Sequence, residues 1–301
     1  MPHASHSHLA VSSFCDSSAI STCSSTYPLR LISPPCRTHQ KAALAFMMSY
    51  GGGLVAGDEV HLTVTVNPSA RLALLTQGST KVYKTSCKTV RSRQTMTAEV
   101  GDGAALLLLP DPLQPFKDSA HEQVQAFHVH PSSSLFVLDW VSAGRTARGE
   151  MWEFTECRTK NEVYLQDGQK RGKLLVRDNL VLCDSSSTFQ DEMDGLGVFG
   201  TLIIRGPLFD SVSECFMKRF SALARIGPNG QRMKVGGSAS DTEGETEPEG
   251  LVWTAARIRG SVVVKFGACE VDRVRKWLRG FLASEGTLHR EFGPKALLCL
   301  H

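Results

Sequence analysis

The 301-residue sequence predicts a mainly β fold with two α-helices near its C-terminal half. Three observations carry that expectation. Apolar and polar residues alternate with a period of two through many short stretches, and Gly, Pro, Asn and Asp cluster between them. Only two segments repeat their apolar residues every three or four positions.

Residues 1–26 are Ser-rich, with one acid and no periodicity, and read as a disordered extension ahead of a single β domain over 27–301. His3, His6 and His8 could bind a metal loosely or simply belong to a polar tail. Residues 27–32 read as a short strand before the Pro34-Pro35 break, and residues 44–50 lead into Gly51-Gly52-Gly53. Val60, Leu62, Val64 and Val66 then share one strand face, with His61, Thr63 and Thr65 on the other. Asn67-Pro68-Ser69 ends the run, because Pro fixes φ and lacks a donor. Residues 70–77 follow as the expected partner strand, which would bring the glycine-rich stretches 51–58 and 78–81 to one end of the pair.

Residues 90–100 alternate again, up to the turn Gly101-Asp102-Gly103. The apolar run 104–109, closed by Pro110-Asp111-Pro112, suits a strand buried on both faces. Residues 122–130 and 135–141 are expected to form a hairpin, and 150–155, 161–166, 172–176 and 180–183 read as further short strands. Leu208, Val212, Phe216, Phe220 and Leu223 have helical spacing, with Asp210 near the start and Gly227-Pro228 beyond the end. Val271, Val274, Trp277, Leu278, Phe281 and Leu282 repeat that spacing. Between them, residues 236–250 hold four glutamates, one aspartate and no large apolar side chain, the composition of a disordered acidic loop. Residues 251–258 and 261–266 predict a hairpin turning at Arg259-Gly260. No internal repeat stands out.

With 33 basic and 30 acidic residues the net charge is +3, too balanced to indicate nucleic acid or an anionic membrane surface as a partner. No run approaches the roughly 18 apolar residues of a membrane helix, and the start lacks the layout of a signal peptide. The nine cysteines form no CxxC, which argues against a zinc knuckle and against a secreted disulfide framework. A soluble cytoplasmic protein is the expectation.

Several stretches bear on chemistry. Residues 195–200 satisfy GxGxxG, but a strand-like TLIIRG follows where a dinucleotide fold needs a helix N-terminus. Gly78-Ser79-Thr80-Lys81 lacks the upstream glycine of a phosphate loop, and no G-x-S-x-G elbow exists. His128 and His130 would lie on one strand face, as in the metal site of a cupin-like metalloenzyme, although no further ligand lies nearby in sequence. Asp139 is more informative, because it interrupts a strand that is apolar on both faces, where an ionised group is costly unless paired, hydrated or metal-bound. Either Arg145 or Arg148 supplies a buried partner, or the acid lines an internal water-filled passage. Asp178 repeats the pattern in LLVRDNLVL, whereas Asp58 also fits an ordinary turn aspartate.

GGGLVAGD at residue 51, TQGSTKVY at 76, LPDPLQPFKDS at 109, DWVSAGRTARGE at 139, LLVRDNL at 174 and GTLIIRGP at 200 together resemble the urease accessory proteins called UreD, or UreH in some bacteria. The resemblance spans residues 27–281. It implies an irregular β-helix-like stack of short strands with two helices, and a maturation factor in place of an enzyme. Such a factor binds apo-urease with UreF and the GTPase UreG, in a dimer of heterotrimers, and passes nickel through an interior tunnel. The implied cargo is Ni²⁺ in transit, with no tightly bound cofactor. Asp58, Thr80, Asp139 and Asp178 match the family's tunnel-lining or transfer-critical positions. Asp111 and Glu150 are weaker candidates from the sequence alone. Scattered carboxylates with water hold Ni²⁺ less tightly than a His or Cys cluster, which suits an ion that must be released.

Overall fold

The computed structural model describes residues 6–35, 40–87, 89–166, 172–183, 193–223, 225–226, 232–233 and 249–301. The chain opens with an antiparallel pair, β1 (Ser7–Phe14) and β2 (Ser17–Ser24), followed by β3 (Leu29–Ile32). From there it coils. The first turn comprises β4 (Ala43–Ser49), β5 (Gly53–Leu54) and β6 (Glu59–Val66). The second comprises β7 (Arg71–Thr76), β8 (Lys81–Val82) and β9 (Ser92–Val100). The third comprises β10 (Ala105–Leu109), β11 (Gln114–Pro115) and β12 (Ala120–Val129). A fourth begins with β13 (Ser134–Ser142) and β14 (Glu156–Leu165).

Each strand pairs in parallel with its counterpart one turn on. Ala43, Leu72, Leu106 and Leu135 therefore stand in one row, and Glu59, Arg93, Glu122 and Arg158 in another. The result is the β-helix-like stack that the motifs led us to expect. Antiparallel strands finish it: β15 (Lys173–Cys183) on β14, and β16 (Val198–Arg205) on β13. Helix α1 (Asp210–Ala222) and the short pair β17 (Arg225–Ile226) and β18 (Arg232–Met233) come next. The hairpin of β19 (Leu251–Ile258) and β20 (Ser261–Ala268) precedes α2 (Val271–Glu285) and α3 (Thr287–Phe292).

Two large sheets and one small one result. The seven-stranded sheet runs β15-β14-β12-β9-β6-β1-β2, the eight-stranded sheet β19-β20-β16-β13-β10-β7-β4-β3, and a corner sheet β11-β8-β5 joins them. The eight-stranded sheet is the middle layer. Its Leu72, Leu74, Leu106, Leu108, Leu135, Val137, Ile203 and Val263 pack against Val60, Leu62, Val64, Ala98 and Phe127 of the seven-stranded sheet. Its opposite face, through Leu107, Phe136, Leu138, Trp140, Leu202, Val264 and Phe266, packs under the helices. There Phe216 of α1 stacks on Phe281 of α2 with ring centroids 3.9 Å apart. Burying each such side chain stabilises by about 1.5–3 kcal/mol.

The corner sheet accounts for three of the motifs: GGGL, TKV and LQP each supply one of its three short strands, side by side. Gly53 is required there because a Cβ would lie 2.5 Å from the Lys81 carbonyl oxygen. The hairpin turn at Arg259-Gly260 also forms as expected, with φ of 46° and 75°, the left-handed pair of a type I′ turn.

Other expectations need correction. The Ser-rich start is not a disordered extension over residues 7–24. Leu9 and Val11 bury completely against the core while β1 pairs in parallel with β6, so tertiary packing overrides the weak strand preference of serine. Strands β6 and β7 are not a pair, nor are β12 and β13 a hairpin, since each turn between them is a corner that carries the chain from one large sheet to the other. Residues 150–155 form no strand, and the two strands expected within 172–183 are one. The coil is itself a structural repeat, hidden because its turns differ in length. Residues 236–248 of the acidic loop lie outside the described residues.

Candidate functional site

Alternation along β13 sends Leu135, Val137 and Asp139 into the space between the two large sheets, and Phe136, Leu138 and Trp140 towards the helices. Asp139 thereby meets two amides from the facing sheet. Gln123 Nε2 donates to Oδ1 at 3.0 Å, and Asn161 Nδ2 donates to Oδ2 at 2.6 Å. Loss of hydration holds the Asp139 carboxyl above the ordinary carboxylate range, against hydrogen bonds from Asn161, Thr159 and Gln123, and the neighbouring Asp178 charge adds to the rise. The acid is nevertheless half-buried, not sealed. It lines a narrow cleft with Thr159, Asp178, Leu180, Phe199 and Thr201 that has room for about one water, about 10 Å³.

Asp178 sits beside Asn161 in the ladder of β14 and β15 and receives Lys265 Nζ at 2.6 Å from β20 of the other sheet. Lys265 in turn pairs with Thr201, the ladder neighbour of Asp139. The structure thus brings Asp139 and Asp178 together at one edge of the space between the sheets. Among the described residues, amides and a lysine hold them. Arg145 is engaged elsewhere, donating to Glu150 with Nε at 2.8 Å and also through Nη2, so it is not the partner of Asp139.

The remaining candidates are not brought into this cluster. Asp58 accepts from the Val55 N–H at 2.9 Å, the turn role that its sequence context also allows. The Thr80 carbonyl accepts from Gln114 N–H at 2.9 Å at the entry to the corner sheet, beside a cleft of about 490 Å³ lined by Ser79, Gln114, Gly144 and Arg275. Asp111 is a buried clamp: Thr76 Oγ1 and the Gly78 N–H donate to Oδ2 at 3.0 and 2.9 Å, and Arg275 of α2 donates to Oδ1 at 2.8 Å. Glu150 is tied to Arg145, whose hydrogen bond holds its carboxyl below the ordinary glutamate value.

The two histidines of the cupin-like reading part company. His128 stacks on Tyr164 at 5.2 Å on the outer face of the seven-stranded sheet. His130 lies past the strand end, 2.7 Å from Ser132 Oγ and 3.2 Å from Asp102. No group of three or more His, Cys, Asp or Glu side chains suited to a metal exists among the described residues.

Sequence reasoning missed Gln123, Thr159, Asn161 and Lys265. A signal was present: in AHEQVQAFHV, Gln123 and Gln125 are in phase with Phe127 and Val129, on the face that buries. It also missed His121, one step along that face. His121 is fully buried, burial lowers its pKa to about 4, and its Nδ1 lies 2.9 Å from Ser92 Oγ. Its Nε2 has no partner among the described residues.

The family model described as UreD urease accessory protein matches residues 3–295. The chain is 33% identical to "Urease accessory protein 4" of Cryptococcus neoformans var. grubii over 298 residues, covering 88% of this chain and 86% of that protein. It is 33% identical to "Urease accessory protein UreD" of Sorangium cellulosum, covering 85% and 72%. Against "Urease accessory protein D" of Oryza sativa subsp. indica it is 36% identical, covering 65% and 63%.

Proposed function

Since the chain belongs to the UreD urease accessory protein family, we propose that it matures urease as a non-catalytic scaffold, binding apo-urease together with UreF and the GTPase UreG and conducting nickel towards the urease active site. The observation that carries this reading is Asp139. A carboxylate placed between two apolar sheets, held by neutral amides and facing a water-sized cleft whose second acid, Asp178, is paired with Lys265, offers oxygen donors to a small cation from the hydrated side. Two oxygen donors with water bind Ni²⁺ weakly enough to let it go.

This reading requires the compartment in which apo-urease is assembled, the cytoplasm. No described helix is long and apolar enough to cross a membrane. The test replaces Asp139 with Ala and purifies the chain with UreF, UreG and apo-urease. Complex formation should persist while the nickel content and activity of the urease fall by an order of magnitude. Unchanged nickel loading would refute the conduit.

A further inference from the structure

Asp178 is already occupied by a cation, the ammonium of Lys265. Lys265 Nζ lies 2.6 Å from Asp178 Oδ1, and among the described residues no second cation pairs with Asp178 and none with Asp139. The lysine reaches the acid from the opposite sheet. Lys265, Thr201 and Asp139 form one row across β20, β16 and β13, and Asp178 meets that row from β15. The ammonium thus holds the place beside the cleft that an arriving ion would need.

The position of Lys265 also gives its side chain somewhere else to go. β15 is the last strand of the seven-stranded sheet, whereas the eight-stranded sheet continues past β20 to β19. Thr254 of β19, the neighbour of Lys265 on that outer side, is exposed. On the inner side Thr201 is buried and lines the cleft with Asp139, Asp178 and Phe199. Lys265 therefore stands at the mouth of the space between the sheets. Its side chain is 41% exposed against 12% for Asp178, so the flexible stem can carry the ammonium out to water while the carboxylate stays in place.

We propose that Lys265 is a tethered counter-ion that keeps the acid pair of Asp139 and Asp178 closed to monovalent cations and gives way to a divalent one. The proposal rests on the nickel-conduit reading and deepens it by naming the residue that selects which ions enter. An ammonium fixed to the same chain competes at high effective concentration with any dissolved cation. Sodium or potassium brings the same single charge and gains nothing by displacing it. A divalent ion brings twice the charge to two carboxylates and drives the exchange, with Lys265 leaving as the ammonium, so no proton changes hands. Once the ion moves on, the ammonium returns to Asp178.

The test uses the full-length chain and Mn²⁺ alone, because Mn²⁺ favours carboxylates over the imidazoles of the N-terminal segment. Amine-reactive labelling read by mass spectrometry should become severalfold faster at Lys265 when Mn²⁺ is added, and should not respond to sodium at the same ionic strength. Lys295, which lines a different cleft, should be indifferent to both. This reading needs no variant to fold. By calorimetry, Lys265→Gln should bind Mn²⁺ about tenfold more tightly than the parent chain, since a positive charge beside a divalent ion has been removed. Lys265→Arg should show no such gain, and Asp178→Asn should abolish it when combined with Lys265→Gln. Labelling of Lys265 that ignores Mn²⁺, or an unchanged affinity in Lys265→Gln, would overturn the counter-ion. Either result would leave the effect of Asp139→Ala on urease loading untouched, so loss of the counter-ion and loss of the conduit are separable outcomes.

Discussion

Asp139 is held by donors alone, so charge and shape can be separated at this one position. Asp139→Asn keeps the volume but turns one amide donor against Gln123 or Asn161, while Asp139→Ala leaves both of those buried donors unanswered, at a cost of about 1–3 kcal/mol. If charge is what the site supplies, nickel transfer should fall alike in both variants. Chemical denaturation should meanwhile rank them by stability, with Ala the lower. Glu150 behaves differently, because Arg145 already holds its carboxylate. Its carboxyl is held below the usual value of 4.5 by Arg145, so an unfolded chain takes up that proton more readily than the folded one. The pair therefore stabilises the fold above that pH, and the contribution is lost as pH falls through the lower folded value. Thermal melts of Glu150→Gln across the acid range should show a shallower decline than the parent chain.

Elements depend on a few tight contacts. In β16, Gly200 lies where a Cβ would come 2.5 Å from Phe266 and 2.6 Å from Trp140, two rings of the layer beneath the helices. Gly200→Ala should cost about 1–3 kcal/mol, read as a lowered denaturant midpoint. Asp111 joins the second turn of the coil to α2 through Arg275, and both side chains are largely buried. Asp111→Ala leaves Arg275 only its longer contact to Asp272 and takes the acceptor from Thr76 and Gly78, and should destabilise by about 3 kcal/mol. At this scale the sequence was most legible where period and burial agree. Val60 to Val66 alternate because one face of β6 is covered, and the run closed by Pro110 is apolar throughout because β10 is covered on both. Serines in β1 hid a strand that pairing with β6 and β2 stabilises. Partner choice was also hidden, since a tight turn followed by a strand reads alike whether the chain folds back or turns a corner.

For the whole molecule, the coil decides what can be near what. Asp139 and Asp178 were legible as misplaced acids, but their meeting was not, because it needs β13 and β15 on facing sheets with Lys265 reaching across from β20. The amides around Asp139 come from turns of the coil that no local pattern links to it. Docking and cargo are tested together at this scale. Co-purification with UreF, UreG and apo-urease, followed by metal analysis, should yield a complex whose nickel reaches the urease in the parent chain. In Asp139→Ala the complex should form and the urease remain poor in metal.

The eight-stranded sheet is enclosed on both sides, by a sheet and by helices, whereas the seven-stranded sheet turns one side to solvent. A saturation library scored for folded protein would therefore read out the layering without any coordinates. Tolerance should flicker on and off at every second position along β6, β9 and β12, and stay dark along β10 and β13.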